Sequence, residues 1–317
     1  MGILVLGDAG VDIVIPYGEA KKKIEDSGGV YIPVAQLKSG GTSANTAYCI
    51  SKLGQYPTFI AKIGNDGLGK ILLDDLSEVE MDLSQMVVSD EFETFRVLNV
   101  VDNEERLFFL FGEGGMSKYA ATNLEVDEVG DALDKCNILV ISGAYLGCTP
   151  IQYTILECMR RAEKRGATII LDLNLRCAEY ELPKDLIEMA KKYIDTATFI
   201  TGTLKGEFLR IFKPLSIDEI ADNLTNSGKA LIVRDGGNDT VLYTVEGIKR
   251  IPAFPQEKIV DTIGAGDNFT GGFAVAISLG HSLEEACRWG NATASFSLLS
   301  AGGKGSPNME QLKEILG

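Results

Sequence analysis

Seven consecutive residues carry the densest chemistry in this 317-residue chain: Asp261, Thr262, Ile263, Gly264, Ala265, Gly266 and Asp267, followed by Asn268, Phe269 and an apolar run over 270–277. Small residues open a helix here. Unpaired N–H groups at a helix start point outward with the positive end of the dipole, so Gly264, Ala265 and Gly266 are read as a cradle for a phosphate, with no lysine required. Asp267 falls in the first turn, where a carboxylate repels a resting phosphate and is better explained as the base that takes a proton from an attacking hydroxyl. Alone, such a segment is more often a packed turn with an ordinary first-turn acid. A second segment, Gly40-Gly41-Thr42-Ser43-Ala44-Asn45, changes the balance. Its glycines permit close backbone approach to a ligand, and Asn45 offers a donor and an acceptor to a polyhydroxyl compound; the plainer reading is an N-cap after a Gly-Gly turn. Asp12, two residues past Gly10 at the end of the first strand, can accept hydrogen bonds from two neighbouring sugar hydroxyls, although a lone acid of this kind is more often a surface residue.

Other chemistries are excluded by composition. Lysine and arginine number 30 against 45 acids, a formal charge of -15, which argues against a general nucleic-acid or anionic-membrane surface, so any polyanion must bind locally. With His281 as the single histidine, Ser-His-Asp and Cys-His machinery and multi-histidine metal sites are nearly ruled out. His281 precedes an N-cap Ser282 with Glu285 at the capping-box position, a local role. Trp289, Phe273 and Phe296 read as helix-face core residues. The six cysteines (Cys49, Cys136, Cys148, Cys158, Cys177, Cys287) form no C-x-x-C pair and read as buried thiols of a reducing compartment. The apolar start is acidic at Asp8 and Asp12 and lacks the basic flank of a signal peptide. The uncharged stretch 136–156 is broken by Ser142, Gly143, Thr149, Pro150 and Gln152, so no membrane span is expected, and the protein reads as soluble and cytoplasmic.

Two motifs mislead. Gly64 to Lys70 satisfies G-x-x-x-x-G-K, but Ile71 follows where magnesium needs a hydroxyl, and Asp66 stands inside the would-be phosphate loop; it reads as a turn and helix start. The G-x-G-x-x-G fingerprint is missing after the first strand, which weakens a dehydrogenase reading.

These residues need a scaffold, and the hydrophobic pattern supplies one. Strands are predicted at 3–6, 58–62, 138–142, 168–172, 199–201 and 230–233, with a strand pair at 241–243 and 248–251. Helices are predicted at 43–53, 70–77, 151–164, 184–193 and 217–226, with two more after Ile263. This alternation is that of a parallel sheet covered on both faces. Residues 12–39 and 94–112 break the rhythm. The arms flanking Asn103 and Glu104 look like a hairpin, and both stretches read as a small antiparallel sheet inserted as a lid at the carboxyl edge, where ligands of such sheets bind.

Taken with Ile63-Gly64-Asn65-Asp66 before Gly69, these segments resemble the ribokinase-like (PfkB) family of carbohydrate kinases over nearly the whole chain, most specifically in D-T-x-G-A-G-D at 261–267. The resemblance implies a single α/β kinase domain over 1–317, a three-layer sandwich with a mostly parallel central sheet and an antiparallel lid. It implies ATP-dependent phosphorylation of a sugar or sugar-acid hydroxyl, with Asp267 as base and Gly264, Ala265 and Gly266 as anion hole. Asp12, Gly40, Gly41 and Asn45 hold the sugar. Arg234 and Gly236 match a strand end near the ATP phosphates and ribose, and Asn291 a position near the adenine. Family members use ATP with Mg²⁺ and often a monovalent cation such as K⁺, for which Asp261, Ile263, Gly302 and Ser306 occupy the matching region. Lid strands could pair between two subunits as a homodimer.

The chain departs from the family at the usual N-x-x-E motif, where Gly202 and Lys205 replace asparagine and glutamate. Lys205 then meets phosphates directly, or Glu207 supplies the acid after a local shift. A catalytically weak sugar- or nucleotide-binding protein on the same fold is therefore an alternative, as is a nucleoside kinase. Asp172-Leu173-Asn174-Leu175-Arg176 resembles the D-x-N-x-R of fructokinase-like and 2-keto-3-deoxygluconate kinase-like members, without the tryptophan that commonly follows. Arg176 either pairs with a substrate or nucleotide oxyanion or makes a structural Arg–Asp pair at the strand end.

Overall fold

Runs such as Ile-Leu-Val-Leu and Ile-Leu-Val-Ile-Ser bury every side chain, as strands do when both faces of their sheet are covered. The computed structural model describes residues 2–29, 35–102, 105–110, 115–175 and 181–317. The strands in chain order are β1 (Ile3–Leu6), β2 (Gly10–Pro16), β3 (Gln36–Gly40), β4 (Thr58–Ile60), β5 (Lys62–Gly64), β6 (Val87–Ser89), β7 (Phe95–Asp102), β8 (Glu105–Leu110), β9 (Ile138–Ser142), β10 (Thr168–Asp172), β11 (Phe199–Thr203), β12 (Ala230–Arg234), β13 (Thr240–Thr244) and β14 (Gly247–Ile251). The helices are α1 (Tyr17–Ser27), α2 (Thr42–Lys52), α3 (Gly67–Leu76), α4 (Ala132–Lys135), α5 (Ile151–Lys164), α6 (Lys184–Thr196), α7 (Leu209–Ile211), α8 (Ile217–Thr225), α9 (Ala265–Ser278), α10 (Leu283–Ser297) and α11 (Met309–Leu316).

The main sheet has the order β14-β13-β12-β11-β10-β9-β1-β4, parallel from β12 to β4, with β13 and β14 added antiparallel at one edge. Side chains alternate across it. Leu4, Leu6, Leu139 and Ile141 pack with Ile155, Met159 and Tyr193 of α5 and α6, whereas Val5, Val140 and Ile232 pack with Ile50, Phe273 and Trp289 of α2, α9 and α10. The result is the expected three-layer α/β arrangement. The second sheet, β3-β2-β7-β8, is the small inserted one. Its β2–β3 and β7–β8 pairs are antiparallel, and β2–β7, contributed by the two separate insertions, is parallel. Asp102 pairs with Glu105 as a hairpin requires; Asn103 and Glu104 lie outside the described residues.

Three local differences from the sequence reading have physical causes. The single strand expected at 58–62 ends at Ile60, and β5 pairs with β6 in a separate two-stranded sheet, where the buried Lys62 ammonium finds Glu128 Oε1 at 2.7 Å and the Asn123 carbonyl at 2.9 Å. Helix α1 occupies part of the first insertion and ends at Gly28 in the left-handed conformation, φ 64°. Glu285 does not complete a capping box: Ser282 caps α10, but the Glu285 carboxylate accepts from the Trp289 indole at 3.1 Å. The His281 ring packs against that Trp289 at 4.9 Å, tilted by 41°.

The misleading phosphate-loop motif is a helix start. Asp66 caps α3 through Gly69 N–H at 2.8 Å and also accepts from the amide and hydroxyl of Thr94, both at 2.8 Å. Burial raises the Asp66 pKa, but these hydrogen bonds outweigh it and hold the carboxyl below its ordinary range. The amides a phosphate would need are occupied. Burial also pushes the Cys49 and Cys158 thiols up to about 12, which leaves them inert.

Helix α2 starts in the same way. The buried Asp8 carboxylate, just past β1, accepts from Thr42 N–H at 2.7 Å and Ser43 N–H at 2.9 Å. Gly41 has φ 102°, and a Cβ there would lie 2.9 Å from Ala9 Cα and from the Asp8 carbonyl, so only glycine lets the chain pass that close. Replacing Asp8 by alanine removes a buried two-armed cap. We expect a loss of about 1–3 kcal/mol in urea unfolding; an unchanged midpoint would show that the cap does not hold this helix.

Candidate active site

The carboxyl ends of the parallel strands place the polar residues. Ser142 ends β9, Asp172 ends β10, Arg234 ends β12, and Asp8 follows β1. Against this edge lie the starts of α2 and α9, where Thr42, Ser43, Ser142, Asp172 and Thr270 meet over Val5, Val140 and Ile141. That is where an open parallel sheet presents a crevice to ligands.

At the start of α9, Gly264 is the N-cap residue, with φ 78°. A Cβ there would lie 2.4 Å from Gly303 Cα, and one at Gly303 would lie 2.2 Å from Asn45 Nδ2. Three segments far apart in sequence therefore meet only because two of the positions lack side chains. Asp267 is 5% exposed, and its Oδ2 accepts from Asn45 Nδ2 at 2.8 Å. The Thr46 hydroxyl donates to the Asp267 carbonyl at 3.3 Å. The Ala265 N–H leans back on the Thr262 carbonyl at 3.4 Å.

The loop beneath is tied to the same turn. Asn268 donates to the carbonyls of Gly264 and Gly303, both at 2.9 Å, and accepts from Ser306 at 2.6 Å. Asp261 accepts from Ile263 N–H at 3.0 Å and Gly302 N–H at 2.8 Å. Asp261 thus ties Ile263 to Gly302, and Ser306 joins the same loop through Asn268. Among the described residues no group of three or more His, Cys, Asp or Glu converges as a metal site.

Arg234 brings positive charge to the cradle. A Cβ at Gly266 would lie 2.8 Å from its Nη1, and its guanidinium stands 5.3 Å over the Phe269 ring. Its Nη2 pairs with Asp172 Oδ1 at 2.6 Å, while the Thr270 hydroxyl donates to Asp172 Oδ2 at 3.0 Å. The sequence offered Arg176 as a structural partner for such a carboxylate. Asp172 pairs with Arg234, and the Arg176 reading falls outside the described residues.

In the lid, Asp12 sits within β2 rather than at the end of the first strand. Its Oδ1 accepts from Asn99 of β7 at 3.0 Å. Its Oδ2 would be 2.5 Å from a Cβ at Gly40, so this glycine makes room for the carboxylate. Asn99, 2% exposed, was not singled out by sequence reasoning; alternation along its strand was the available signal. Asn174, at φ 34°, donates to Thr42 Oγ1 at 2.9 Å and links the end of β10 to α2.

The remaining candidates stand apart from the cradle or are already engaged. Asn291 accepts from Thr240 Oγ1 at 2.6 Å and donates to the carbonyls of Ile251 and Pro252 at 3.2 and 3.0 Å, stitching α10 to the edge hairpin. Gly236, φ 62°, lies in the open turn between β12 and β13. A π-helical turn over Leu204–Phe208 exposes Lys205 and turns Glu207 inward. The buried Glu207 carboxylate accepts from Leu175 N–H at 3.1 Å, from Thr203 Oγ1 at 3.0 Å and from Thr203 N–H.

Comparison with known proteins identifies the family. The pfkB family carbohydrate kinase profile matches residues 3–309. The chain belongs to that family. This carbohydrate kinase is 24% identical over 285 residues to the 5-dehydro-2-deoxygluconokinase of Halalkalibacterium halodurans, covering 87% of this chain and 85% of that one. It is 27% identical over 324 residues to the ribokinase of Bacillus subtilis, covering 99% of each. Its fold superposes on a fructokinase with bound ATP from Xylella fastidiosa with a TM-score of 0.86 at 19% identity, over 99% of this chain and 98% of the other.

The crowded Gly303 contact yields a test in this kinase. In Gly303→Ala the new methyl group meets the Asn45 amide and pushes it off Asp267. Turnover should fall about 10²-fold, as displacements near 1 Å do, with the circular dichroism spectrum retained. Wild-type turnover in that variant would show that the Asn45–Asp267 contact does not set the geometry.

Proposed function

We propose that this kinase transfers the γ-phosphoryl group of ATP to a hydroxyl of a sugar or sugar acid, giving a sugar phosphate and ADP. One observation carries the reading: a buried carboxylate, Asp267, held by the Asn45 amide at 2.8 Å, in the first turn of a helix whose N-cap is Gly264. The acceptor hydroxyl gives its proton to Asp267 and its oxygen attacks the γ-phosphorus in line, while the bond to the β–γ bridging oxygen breaks and ADP departs. The amides at 264–266 and the Arg234 guanidinium stabilise the charge on the transferred group.

Asp12, Asn45 and the Gly40–Gly41 turn form the acceptor side. In support, the Asn45 Oδ1 and Asn99 Oδ1 atoms are buried without a hydrogen-bond partner, as acceptors awaiting hydroxyl donors. On the nucleotide side, Arg234 and Gly236 face the phosphates and ribose, and exposed Lys205 can reach a phosphate. Asn291 shapes the adenine region by fixing the backbone at Ile251 and Pro252. Mg²⁺, held chiefly by the nucleotide's own phosphates, supplies charge neutralisation when bound. A monovalent cation such as K⁺ would find its oxygen donors among Asp261, Ile263, Gly302 and Ser306.

The lid sheet covers the acceptor and excludes water. Its outer face is apolar: Ile13 stands opposite Leu37 and Leu98, and Leu37 is 45% exposed. This supports a homodimer through the lid strands, with Leu37→Asp expected to shift the sedimenting species to monomer; a wild-type protein that sediments as monomer at assay concentration rules this out.

Asp267→Asn should lower turnover about 10²–10⁴-fold, the range for loss of a general base, with thermal unfolding little changed. The check is ADP release across sugars, sugar acids and sugar phosphates. Undiminished turnover would remove Asp267 from the reaction.

A further inference from the structure

Strand register decides which lid residues look into the site. Residues directly opposite in a sheet point to one face, so Asp12 of β2 and its partner Lys38 of β3 share a face. Asn99, opposite Val14 on β7, lies on that same face, with its amide on Asp12. The partly buried Lys38 side chain then runs from the lid toward the catalytic loop: its Cδ lies 3.7 Å from where a Cβ at Gly302 would stand, and the Gly302 N–H is held by Asp261.

The ammonium at the end of that stem has no hydrogen-bond or ion-pair partner among the described residues. Two other cations are engaged, Arg234 with Asp172 and Lys304 with Asp75. Asp12 is the carboxylate opposite Lys38 in the register, yet among the described residues no ion pair joins the two. The same face presents the unpartnered acceptor of Asn99, which suits hydroxyls. Lys38 stands two residues before Gly40, on the acceptor side, whereas Arg234 arrives from β12, four strands away from β1.

We propose that Lys38 is a specificity-determining residue of the acceptor site, pairing with an anionic group, carboxylate or phosphate, that the sugar itself carries. This rests on the acceptor site assigned above and narrows its substrate class from sugars in general to anionic ones.

The experiment is steady-state kinetics of the full chain with sugar acids, sugar monophosphates and the corresponding neutral sugars, for wild type, Lys38→Met and Lys38→Arg. Wild type should prefer one anionic class over its neutral counterpart in kcat/KM, and which class wins identifies carboxylate or phosphate. Lys38→Met should raise the acceptor KM for that class roughly 10–100-fold, the range for a hydrogen-bonded charge, and collapse the preference, with Lys38→Arg restoring most of it. A rise in KM for ATP instead assigns the ammonium to the triphosphate and overturns the proposal, as does a wild type that prefers neutral sugars. If no acceptor releases ADP, the phosphotransfer reading fails separately. Thermal shift with the same three ligand classes then decides: stabilisation by an anionic sugar that is lost in Lys38→Met supports the proposal, and equal or absent stabilisation in both proteins overturns it.

Discussion

A carboxylate 5% exposed, on the third residue of a helix capped by glycine, is the constraint on which the proposed site depends. In the proposed reaction Asp267 must be kept out of bulk water, close to where a phosphoryl group would sit, and unable to swing onto the amides meant for that group. The Asn45 side chain does this from 222 residues away in sequence. Its amide takes one carboxylate oxygen and fixes the direction of the other, and its own carbonyl is left buried without a partner. Leaving a buried acceptor unsatisfied costs about 1–3 kcal/mol, which is tolerated most readily where a ligand restores the bond.

The glycines follow from that contact. Asn45, Gly264 and Gly303 converge so closely that a methyl group at either glycine would lie within 2.4 Å of its neighbour. Glycine here is a requirement of packing as much as of anion binding. The Gly40–Gly41 pair has the same double character: it makes room for the Asp12 carboxylate and for the backbone at Ala9, and so brings α2 up against the sheet with Asn45 on its first turn.

Much of this was legible in the sequence. Strands β1, β9 and β10 and helix α5 were read from hydrophobic periodicity with the boundaries they have, since fully buried strands and an amphipathic helix leave strong local signals. The α9 turn was legible because its chemistry is contiguous. Pairings between distant segments were not. Nothing local to Asp172 indicates that it meets Arg234, because that pairing is made by the order of parallel strands. Asn99 and Lys38 were invisible as site residues for a related reason: their facing depends on the register of three strands brought together from two insertions. Asn291 shows the reverse case, a motif position whose side chain is occupied in holding strand ends.

A chain of charge -15 that handles polyanions must create a local field opposite in sign to its overall one. Two sources are visible, and they differ in how freely they act. The amides at the start of α9 are fixed dipoles that need no counterion and lose little on meeting a phosphate. The Arg234 charge is partly balanced by Asp172, which positions the guanidinium beside Gly266 while moderating its pull. A moderated cation suits a phosphoryl group in transit better than an unpaired one, because binding donor and product phosphates too tightly would slow release without lowering the barrier between them. Buried pairing of Arg234 is therefore compatible with a part in catalysis, and the carboxylate that partly neutralises it is what keeps it aimed.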